Sequence, residues 1–209
     1  MESLTKYYKT QFYLFTQKQN KISKSIILKG AEHIRMEGKD VIHSAVLIRG
    51  DMAPFHMGQY VIIKENVILR PTFNKKHGKL QYVAMEIGDN VYIDERCVIS
   101  AASIGSNVHI GKNCIIGHRV VIKDNTKILD DSVLAADTIV PPFTIFGGKP
   151  ALYLGELTES MAQVNADFAK SYYRNFIGVG PNQTAPGHGG GAGGGAPSTS
   201  GSQRPQQQR

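Results

Sequence analysis

The hydrophobic pattern of this chain repeats every six residues through its middle. An Ile, Leu, Val or Phe recurs without a slip at Ile104, Ile110, Ile116, Ile122, Ile128, Leu134, Val140 and Phe146. Two shorter series precede it, namely Met57, Ile63 and Leu69, and then Ile87, Ile93 and Ile99. A helix of about 3.6 residues per turn would scatter these anchors around its axis. A flat strand would turn the polar residue two positions later to the same side as the anchor. The period fits neither element.

Polar residues within each hexad predict where the backbone turns. Asn or Asp falls three residues after many anchors, at Asn66, Asn90, Asn107, Asn113, Asn125, Asp131 and Asp137. These residue types tolerate positive φ better than other non-glycine residues, so we expect a corner at each position. Three hexads then make one triangular turn of about 18 residues.

The pattern therefore predicts an all-β solenoid, a parallel β-helix of hexapeptide repeats with about six coils. Two internal ladders follow from the spacing, Ile104–Ile122–Val140 and Ile110–Ile128–Phe146, and Ile116 should lie under Leu134. Ile99 and Ile104 are one residue too close, which predicts a kink or bulge in one coil. The hand of the coil does not follow from this reasoning.

The segments outside the repeat suggest how the chain is divided. We expect an N-terminal segment at 1–20, the β-helix at 21–157 with an insertion at 71–86, a helix at 158–176 and a flexible tail at 177–209. The helix should begin at an N-cap, Thr158, and pack one stripe of side chains against the body, namely Met161, Val164, Phe168, Tyr172 and Phe176. The Gly-rich tail has too little apolar surface to offset the entropy lost on ordering, so it should be disordered.

Composition and charge narrow the function classes. The sequence has no apolar run of membrane-spanning length and no secretory signal, and with two cysteines it favours a cytosolic protein with free thiols. Cys97 and Cys114 are expected to be buried and inert. The net charge of +7 is expected to be spread over a solvated surface, since no compact basic helix or aromatic-interleaved basic run indicates nucleic acid.

The hexads, together with VLIRGD (46–51) and VPPFTIFGGKPA (140–151), resemble left-handed β-helix proteins of the γ-class carbonic anhydrase and hexapeptide acyltransferase type. The resemblance implies a left-handed coil. In the γ-class enzymes three histidines hold zinc, and those positions fall here on Arg70, Glu95 and Ser100. The residues that position the zinc-bound water fall on Ile62 and Lys64. A guanidinium cannot bind zinc, so we expect no metal site, no cofactor and no catalytic residue.

Two enzymatic alternatives remain open from the sequence. A hexapeptide-repeat acyltransferase would need a histidine as general base, and His109 is the candidate. We expect His109 and His118 to be solvated on different outer faces instead. A degenerate γ-class enzyme with relocated ligands is the other alternative. Arg49 and Asp51 are expected to form a structural or interface ion pair.

A closer resemblance covers Asn20 to Phe176. ILRPTF (68–73), NKKHGK (74–79), IGDNVYIDERCVISAASIGSNVHIGKNCIIG (87–117), KILDDSVL (127–134) and KSYYRNF (170–176) resemble the dynactin subunit 5 family. Thr72, where a second proline is expected, the N-terminus and the tail depart from the family pattern.

This resemblance implies a non-enzymatic subunit of the dynactin pointed-end complex, which supports dynein-driven microtubule transport and cargo attachment. The implied partners are dynactin subunit 6, dynactin subunit 4, the actin-related pointed-end protein and dynein cargo adaptors, without nucleic acid or membrane insertion. The implied location is the cytoplasm and cytoskeleton, with the kinetochore as a further site. In the insertion, Lys75, Lys76 and Lys79 either reach an acidic partner or form a solvated loop.

Overall fold

The computed structural model describes residues 4–76 and 78–180. Of the predicted flexible tail at 177–209, residues 181–209 lie outside the described residues, as do residues 1–3, His77 and the side chain of Lys76. The first residues of that tail, Ile177–Val179, are instead part of a β-strand that pairs with Tyr7–Lys9.

The chain winds into a parallel β-helix in which each coil contributes one strand to each of three sheets. Sheet 1 has nine strands in the order β2 (Tyr13–Phe15), β3 (Lys21–Ser23), β6 (Val41–Ile42), β9 (Ile62–Ile63), β14 (Tyr92–Ile93), β17 (His109–Ile110), β20 (Lys127–Ile128), β23 (Thr144–Gly148) and β24 (Ala151–Glu156). Its two outermost strands, β2 and β24, are antiparallel to their neighbours.

Sheets 2 and 3 have six strands each, and all their pairings are parallel. Sheet 2 comprises β4 (Ile27–Lys29), β7 (Leu47–Arg49), β10 (Ile68–Leu69), β15 (Val98–Ile99), β18 (Ile115–Ile116) and β21 (Val133–Leu134). Sheet 3 comprises β5 (Ile34–Gly38), β8 (Phe55–Gln59), β13 (Met85–Ile87), β16 (Ser103–Ile104), β19 (Val121–Ile122) and β22 (Ile139–Val140).

The remaining elements lie outside the coils or connect them. They are β1 (Lys6–Lys9), which pairs in parallel with β25 (Phe176–Val179), the hairpin of β11 (Phe73–Lys76) and β12 (Lys79–Tyr82), helix α1 (Glu159–Asn175), and one-turn 3-10 helices at Thr10–Phe12 and Ala31–His33. Within the described ranges no helix has the length and hydropathy of a membrane span.

The predicted ladders are confirmed by the strand register. Ile104 pairs with Ile122 and Ile122 with Val140, while Ile110 pairs with Ile128 and Ile128 with Phe146, and Ile116 lies beside Leu134. All of these anchors except Phe146 are buried, and Phe146 packs against the core from the last coil. Each buried aliphatic side chain contributes about 1.5–3 kcal/mol, so the inward stack is the main source of stability.

The predicted corners are also confirmed. Asn66, Asn90, Asn107, Asn113, Asn125, Asp131 and Asp137 all have positive φ, between 54° and 65°. Arg96, Arg119, Tyr60 and Phe143 occupy equivalent corners with positive φ although their side chains disfavour it. The coil geometry therefore imposes the corner, and Asn and Asp are the residues that adopt it at the lowest cost.

Of the kink or bulge expected where Ile99 and Ile104 lie one residue too close, the bulge is absent from the strands. Strand β16 pairs with β13 and β19 without a register shift. The coil is instead one residue shorter at the corner between β15 and β16, because no residue between Arg96 and Asn107 has the positive φ of the other corners. The short spacing therefore changes the conformation of one corner and leaves the strands regular.

Helix α1 packs along sheet 1. Thr158 is its N-cap, as predicted, and its hydroxyl accepts a hydrogen bond from the Met161 backbone N–H at 3.4 Å. The predicted packing stripe is partly wrong, because Met161 is 42% exposed. The buried face instead consists of small and aromatic residues, namely Ala162, Asn165, Ala166, Ala169 and Tyr172. Alanines allow the helix to lie close to the sheet.

Candidate interaction surfaces

The three positions that hold zinc in the γ-class enzymes are occupied by side chains already engaged with one another or with neighbours. Arg70 Nε donates a hydrogen bond to Ser100 Oγ at 2.7 Å. Glu95 forms ion pairs with Arg96 and Lys112, each at 3.2 Å. Among the described residues no three His, Cys, Asp or Glu side chains are grouped so as to hold a metal. A cation, a hydroxyl and a paired carboxylate do not fit a zinc ion.

The two positions that would orient a metal-bound water are covered by the helix. Ile62 is fully buried in a cluster with Ala169 and Tyr172 of α1. Lys64 is buried as well, and its ammonium lies 2.8 Å from Glu65 Oε2. This flank of sheet 1 is therefore an internal surface of the molecule.

Beneath α1 lies a polar cluster that the sequence did not reveal. His43 Nδ1 lies 2.9 Å from Glu65 Oε1, and the hydroxyl of Tyr172 lies 2.8 Å from His43 Nε2. Burial lowers the pKa of His43, and the hydrogen bond from His43 is the main cause that lowers the pKa of Glu65. The cluster joins two coils to the helix. Only knowledge of where the helix docks could have located it.

His109 and His118 lie on outer faces, as expected, but neither is fully solvated, because each is half-buried against aromatic rings. The His109 ring stacks on Tyr92 at 4.9 Å and approaches Phe168 of α1, and burial lowers the pKa of His109 to about 4. The His118 ring packs against Phe73 at 4.6 Å. Burial, followed by the charges of Arg70 and Arg119, lowers the pKa of His118.

The remaining sequence candidates are confirmed in position. Cys97 and Cys114 are free and buried, and their thiols donate to the carbonyls of Gly111 and Leu129 at 3.0 and 3.1 Å. Arg49 and Asp51 form a two-pronged ion pair at 2.8 and 3.0 Å.

The insertion forms an antiparallel hairpin that projects from the coils. Residues opposite each other in an antiparallel pair share a face, so Phe73, Tyr82, Lys75 and Leu80 lie on one side. Lys75 and Lys79 are exposed, and Leu80 is 58% exposed. The base of the hairpin is fixed to the coil, because the Arg119 backbone N–H donates to Thr72 Oγ1 at 2.9 Å.

The two ends of the solenoid differ. At the C-terminal end, β24 folds back on β23, and Tyr153 packs against Phe146 with ring centroids 6.1 Å apart. At the N-terminal end, a cavity of about 400 Å³ opens among the inward side chains of the first coil, here called the N-terminal cup and lined by Ile22, Leu28, Ala31, Ile34 and Met36 with Thr16, Gln17, Lys18 and Asn20.

Comparison with known proteins shows the family to which this chain belongs. The family model described as "Dynactin subunit 5" matches residues 1–181. The "Dynactin subunit 5" of Dictyostelium discoideum is 43% identical over 185 residues, which cover 88% of this chain and 92% of that protein. "Gamma carbonic anhydrase 2, mitochondrial" of Arabidopsis thaliana is 24% identical over 136 residues, which cover 65% of this chain and 48% of that protein.

Solved structures share the fold at low identity. A hexapeptide transferase family protein from Anaplasma phagocytophilum gives a TM-score of 0.57 at 21% identity, covering 74% of this chain and 89% of that chain. The N-acyltransferase AntD from Bacillus cereus, in complex with dTDP and 3-hydroxybutyryl-CoA, gives 0.59 at 16% identity, covering 80% of this chain and 98% of that chain. At this identity the likeness extends to the architecture alone.

Proposed function

Because the chain belongs to the dynactin subunit 5 family, we propose that it is a non-enzymatic subunit of the dynactin pointed-end complex that supports dynein-driven microtubule transport and the attachment of cargo adaptors. The observation that carries the proposal is the 43% identity to a dynactin subunit 5 over 88% of this chain. The family match reaches residue 181 and so includes the N-terminal strands and α1 as well as the coils.

The residues of this chain support a role without catalysis. Arg70 and Ser100 are bonded to each other where the related enzymes hold metal, and Ile62 is covered by α1. The acyltransferase alternative is not favoured, because His109 is packed between Tyr92 and Phe168 and its pKa is lowered to about 4. A half-buried imidazole with a lowered pKa is a weaker general base than a free one.

The partners proposed are dynactin subunit 6 as a second β-helix, dynactin subunit 4, the actin-related pointed-end protein and dynein cargo adaptors. The proposed location is the cytoplasm and cytoskeleton, with the kinetochore as a further site. A rigid prism suits this role, because packed coils present outer faces whose shape changes little on binding.

Within this role we assign the hairpin of Lys75, Lys76 and Lys79 as an interaction loop for an acidic partner. Its base is held by Thr72 and Arg119, so a partner would meet a positioned loop. Lys75 and Lys79 form no ion pair with a described residue, which leaves their charges available to a partner.

Affinity purification of the tagged full-length chain from cells, followed by mass spectrometry, tests the role. Recovery of dynactin subunits 4 and 6 and the actin-related protein is expected. Recovery of self-oligomers without any dynactin subunit would overturn the proposal. The same experiment with all three hairpin lysines changed to Glu should reduce one partner selectively, whereas the control triple Lys123→Glu, Lys149→Glu and Lys170→Glu should not. Equal recovery from both triples would remove the hairpin from the interface.

Two measurements on purified protein test the absence of catalysis. Metal analysis should find no stoichiometric zinc, and isothermal titration should detect no binding of acetyl-coenzyme A. Zinc retained at one ion per chain, or coenzyme binding that disappears in His109→Ala, would make the chain an enzyme and contradict the proposal.

A further inference from the structure

The first coil and the segment that leads into it carry an excess of basic residues. Residues 16–39 contain six Lys and Arg but two Glu, whereas residues 40–180 contain fourteen basic and fourteen acidic residues. Because residues 16–39 line the N-terminal cup and form β3, β4 and β5, this excess lies at the N-terminal end of the solenoid. A local excess of this kind attracts acidic partners and raises their association rate.

Three exposed cations of this excess lie on the three sides of the first coil. Lys24 directly follows β3, Lys29 ends β4, and Arg35 lies in β5. None of the three forms an ion pair within the described part of the chain. Among the described residues, the first coil therefore carries an unpaired cation beside each of its three strands, and Arg35 lies in a groove on the outer face of sheet 3 that Glu37 and Glu86 also line.

The cup itself is apolar at its base. Leu28, Ile34 and Met36 are only partly buried, because no coil precedes theirs to cover the inward side chains. Beside it, Phe12 of the first 3-10 helix and Leu14 and Phe15 of β2 are exposed, Phe15 by 66%. In addition, β4 and β5 are the terminal strands of sheets 2 and 3, so their outer edges are open to another backbone except at Met36, whose carbonyl accepts from Lys18 Nζ at 2.9 Å.

We propose that the N-terminal cup is a docking site for an acidic segment of a protein partner that inserts an apolar side chain between Leu28, Ile34 and Met36. The cup of about 400 Å³ has room for a large aliphatic or aromatic side chain. Acidic residues on either side of that anchor would lie against Lys24, Lys29 and Arg35. The inference deepens the proposed function and rests on it, because it gives a binding surface to a chain whose proposed role is assembly.

Charge favours an acidic protein segment over the chain's own tail and over a second copy of the chain, and the open strand edges favour it over a lipid surface. Residues 181–209 of the same chain contain no Asp or Glu, so the chain's own tail lacks the required acids. Two copies joined cup to cup would bring together two ends of the same sign. A lipid surface could neutralise the cations, but it could not pair the open edges of β4 and β5, which need backbone hydrogen-bonding groups.

Fluorescence anisotropy with the purified full-length chain tests the proposal. The probe is a fluorescein-labelled dodecapeptide of Asp and Glu residues around a central pair of leucines, and the control peptide has serines in place of the leucines. The leucine peptide should bind about tenfold more tightly than the serine peptide, and its binding should weaken as salt is added. Equal affinity of the two peptides would show that the apolar cup is not used, and would overturn the proposal.

Two variants place the binding on the molecule, each checked for retained fold by circular dichroism. Lys24→Glu, Lys29→Glu and Arg35→Glu together should weaken peptide binding at least about tenfold, whereas Lys123→Glu, Lys149→Glu and Lys170→Glu, with the same change in net charge, should weaken it less than about twofold. Ala31→Glu, at an exposed lining position, should also weaken it about tenfold by filling the cup with a like charge. An equal loss in both triples, or full binding by Ala31→Glu, would overturn the proposal.

The same proteins and peptides distinguish an acidic protein segment from other occupants of the cup. They also test the cup separately from the proposed function. Tighter binding to phosphatidylserine vesicles or to single-stranded DNA than to the peptide, or a dimer that dissociates in Ala31→Glu, would overturn the choice of an acidic protein segment. If dynactin subunits co-purify but the peptide does not bind, the cup inference fails and the proposed function stands. If the peptide binds but no dynactin subunit co-purifies, the proposed function fails and the docking chemistry stands.

Discussion

The hydroxyl of Tyr172 lies 2.8 Å from Nε2 of His43, which joins the C-terminal helix to the second coil. Burial raises the pKa of Tyr172, so its hydroxyl keeps its proton and donates to the ring. The other ring nitrogen, Nδ1, then carries the proton that it donates to Glu65 at 2.9 Å. A neutral imidazole satisfies both neighbours, and the relay holds the helix on sheet 1.

This relay predicts that acid weakens the fold. Burial lowers the pKa of His43 from 6.5, so below that pH the unfolded chain binds a proton that the folded chain refuses. The pKa of Glu65 is lowered from 4.5, chiefly by the His43 hydrogen bond, and protonation of the unfolded chain adds a second loss at lower pH. The free energy of unfolding should therefore fall as the pH falls from 7 through 5 and below.

The variant His43→Gln isolates the imidazole in this effect. At pH 7 it should lower the free energy of unfolding by about 1–3 kcal/mol, since buried partners lose hydrogen bonds. Its stability should then change less between pH 7 and pH 5 than that of the unaltered protein, as measured by urea denaturation. His33→Gln, at an exposed position, serves as the control. An acid dependence unchanged by His43→Gln would contradict the relay.

A second buried acid predicts the opposite pH dependence. Asp40 is fully buried directly after the corner residue Lys39. Its Oδ1 accepts from the Val61 N–H at 2.9 Å, and its Oδ2 has no partner among the described residues. Burial raises the pKa of Asp40 from 3.8 to about 8. The folded chain therefore keeps a proton that the unfolded chain has released, and this group reduces stability as pH rises through that window.

Asp40→Asn should remove this loss. One pKa unit corresponds to about 1.4 kcal/mol, so a gain of the order of 2 kcal/mol at pH 8, with little change at pH 4, is expected after allowing for relaxation of the site. Urea denaturation at both pH values measures it. Glu86→Gln, an exposed carboxyl on sheet 3, should show no such gain. A variant no more stable at pH 8 than at pH 4, relative to the parent, would refute the assignment.

The inward stack predicts a sharp difference between neighbouring outward and inward positions. Ile110 is fully buried between Ile93 and Ile128, whereas Ile115 is 49% exposed on sheet 2. Ile110→Ala should cost about 2–5 kcal/mol, because it leaves a cavity that the coils cannot close. Ile115→Ala should cost less than about 1 kcal/mol. Comparable losses in thermal denaturation would show that the core is elsewhere.

Asn90, Asn107 and Asn125 are linked by hydrogen bonds at one corner of successive coils. Backbone conformation and hydrogen bonding at this corner should contribute separately to the free energy of unfolding. Asn107 has φ of 58°, accepts from Asn90 at 3.0 Å and donates to Asn125 at 2.9 Å. Asn107→Gly removes the two bonds but keeps an easy left-handed corner. Asn107→Ala removes the bonds and adds backbone strain of about 1 kcal/mol. The Ala variant should therefore unfold at lower denaturant than the Gly variant, and the reverse order would argue against a strained corner.

The sequence predicted the coils of the β-helix but not how helix α1 covers sheet 1, because the repeat encodes only which side chains face inward. Periodicity records which side chains face inward, so Ile110 and Ile128 could be paired in advance, and Asn107 could be placed at a corner by its tolerance of positive φ. Arg119 adopts the same conformation without any compositional sign, because the coils on either side impose it.

The surroundings of the outward residues depend on where α1 docks, which no repeat encodes. The outward hexad position of His109 predicted a solvated ring, yet Tyr92 and Phe168 pack against it and leave it half-buried. The predicted packing face of the helix included Met161 because large apolar residues dominate a hydrophobicity pattern. Close packing on a sheet favours small residues such as Ala169 instead. The His43 cluster was missed for the same reason, since its partners come from separate coils and from the helix.

The pairing of β1 with β25 gives the stack of coils a mechanical property that its repeats alone would lack. In a linear array each unit is held only by its neighbours, and the outermost units fray first. Here the strand before the first coil, Lys6–Lys9, pairs with the strand after the helix, Phe176–Val179. Lys21 stabilises this pairing by donating to the carbonyls of Tyr173 and Phe176. Force applied at either end of the described chain therefore loads the same strand pair, which must separate before either end can unfold.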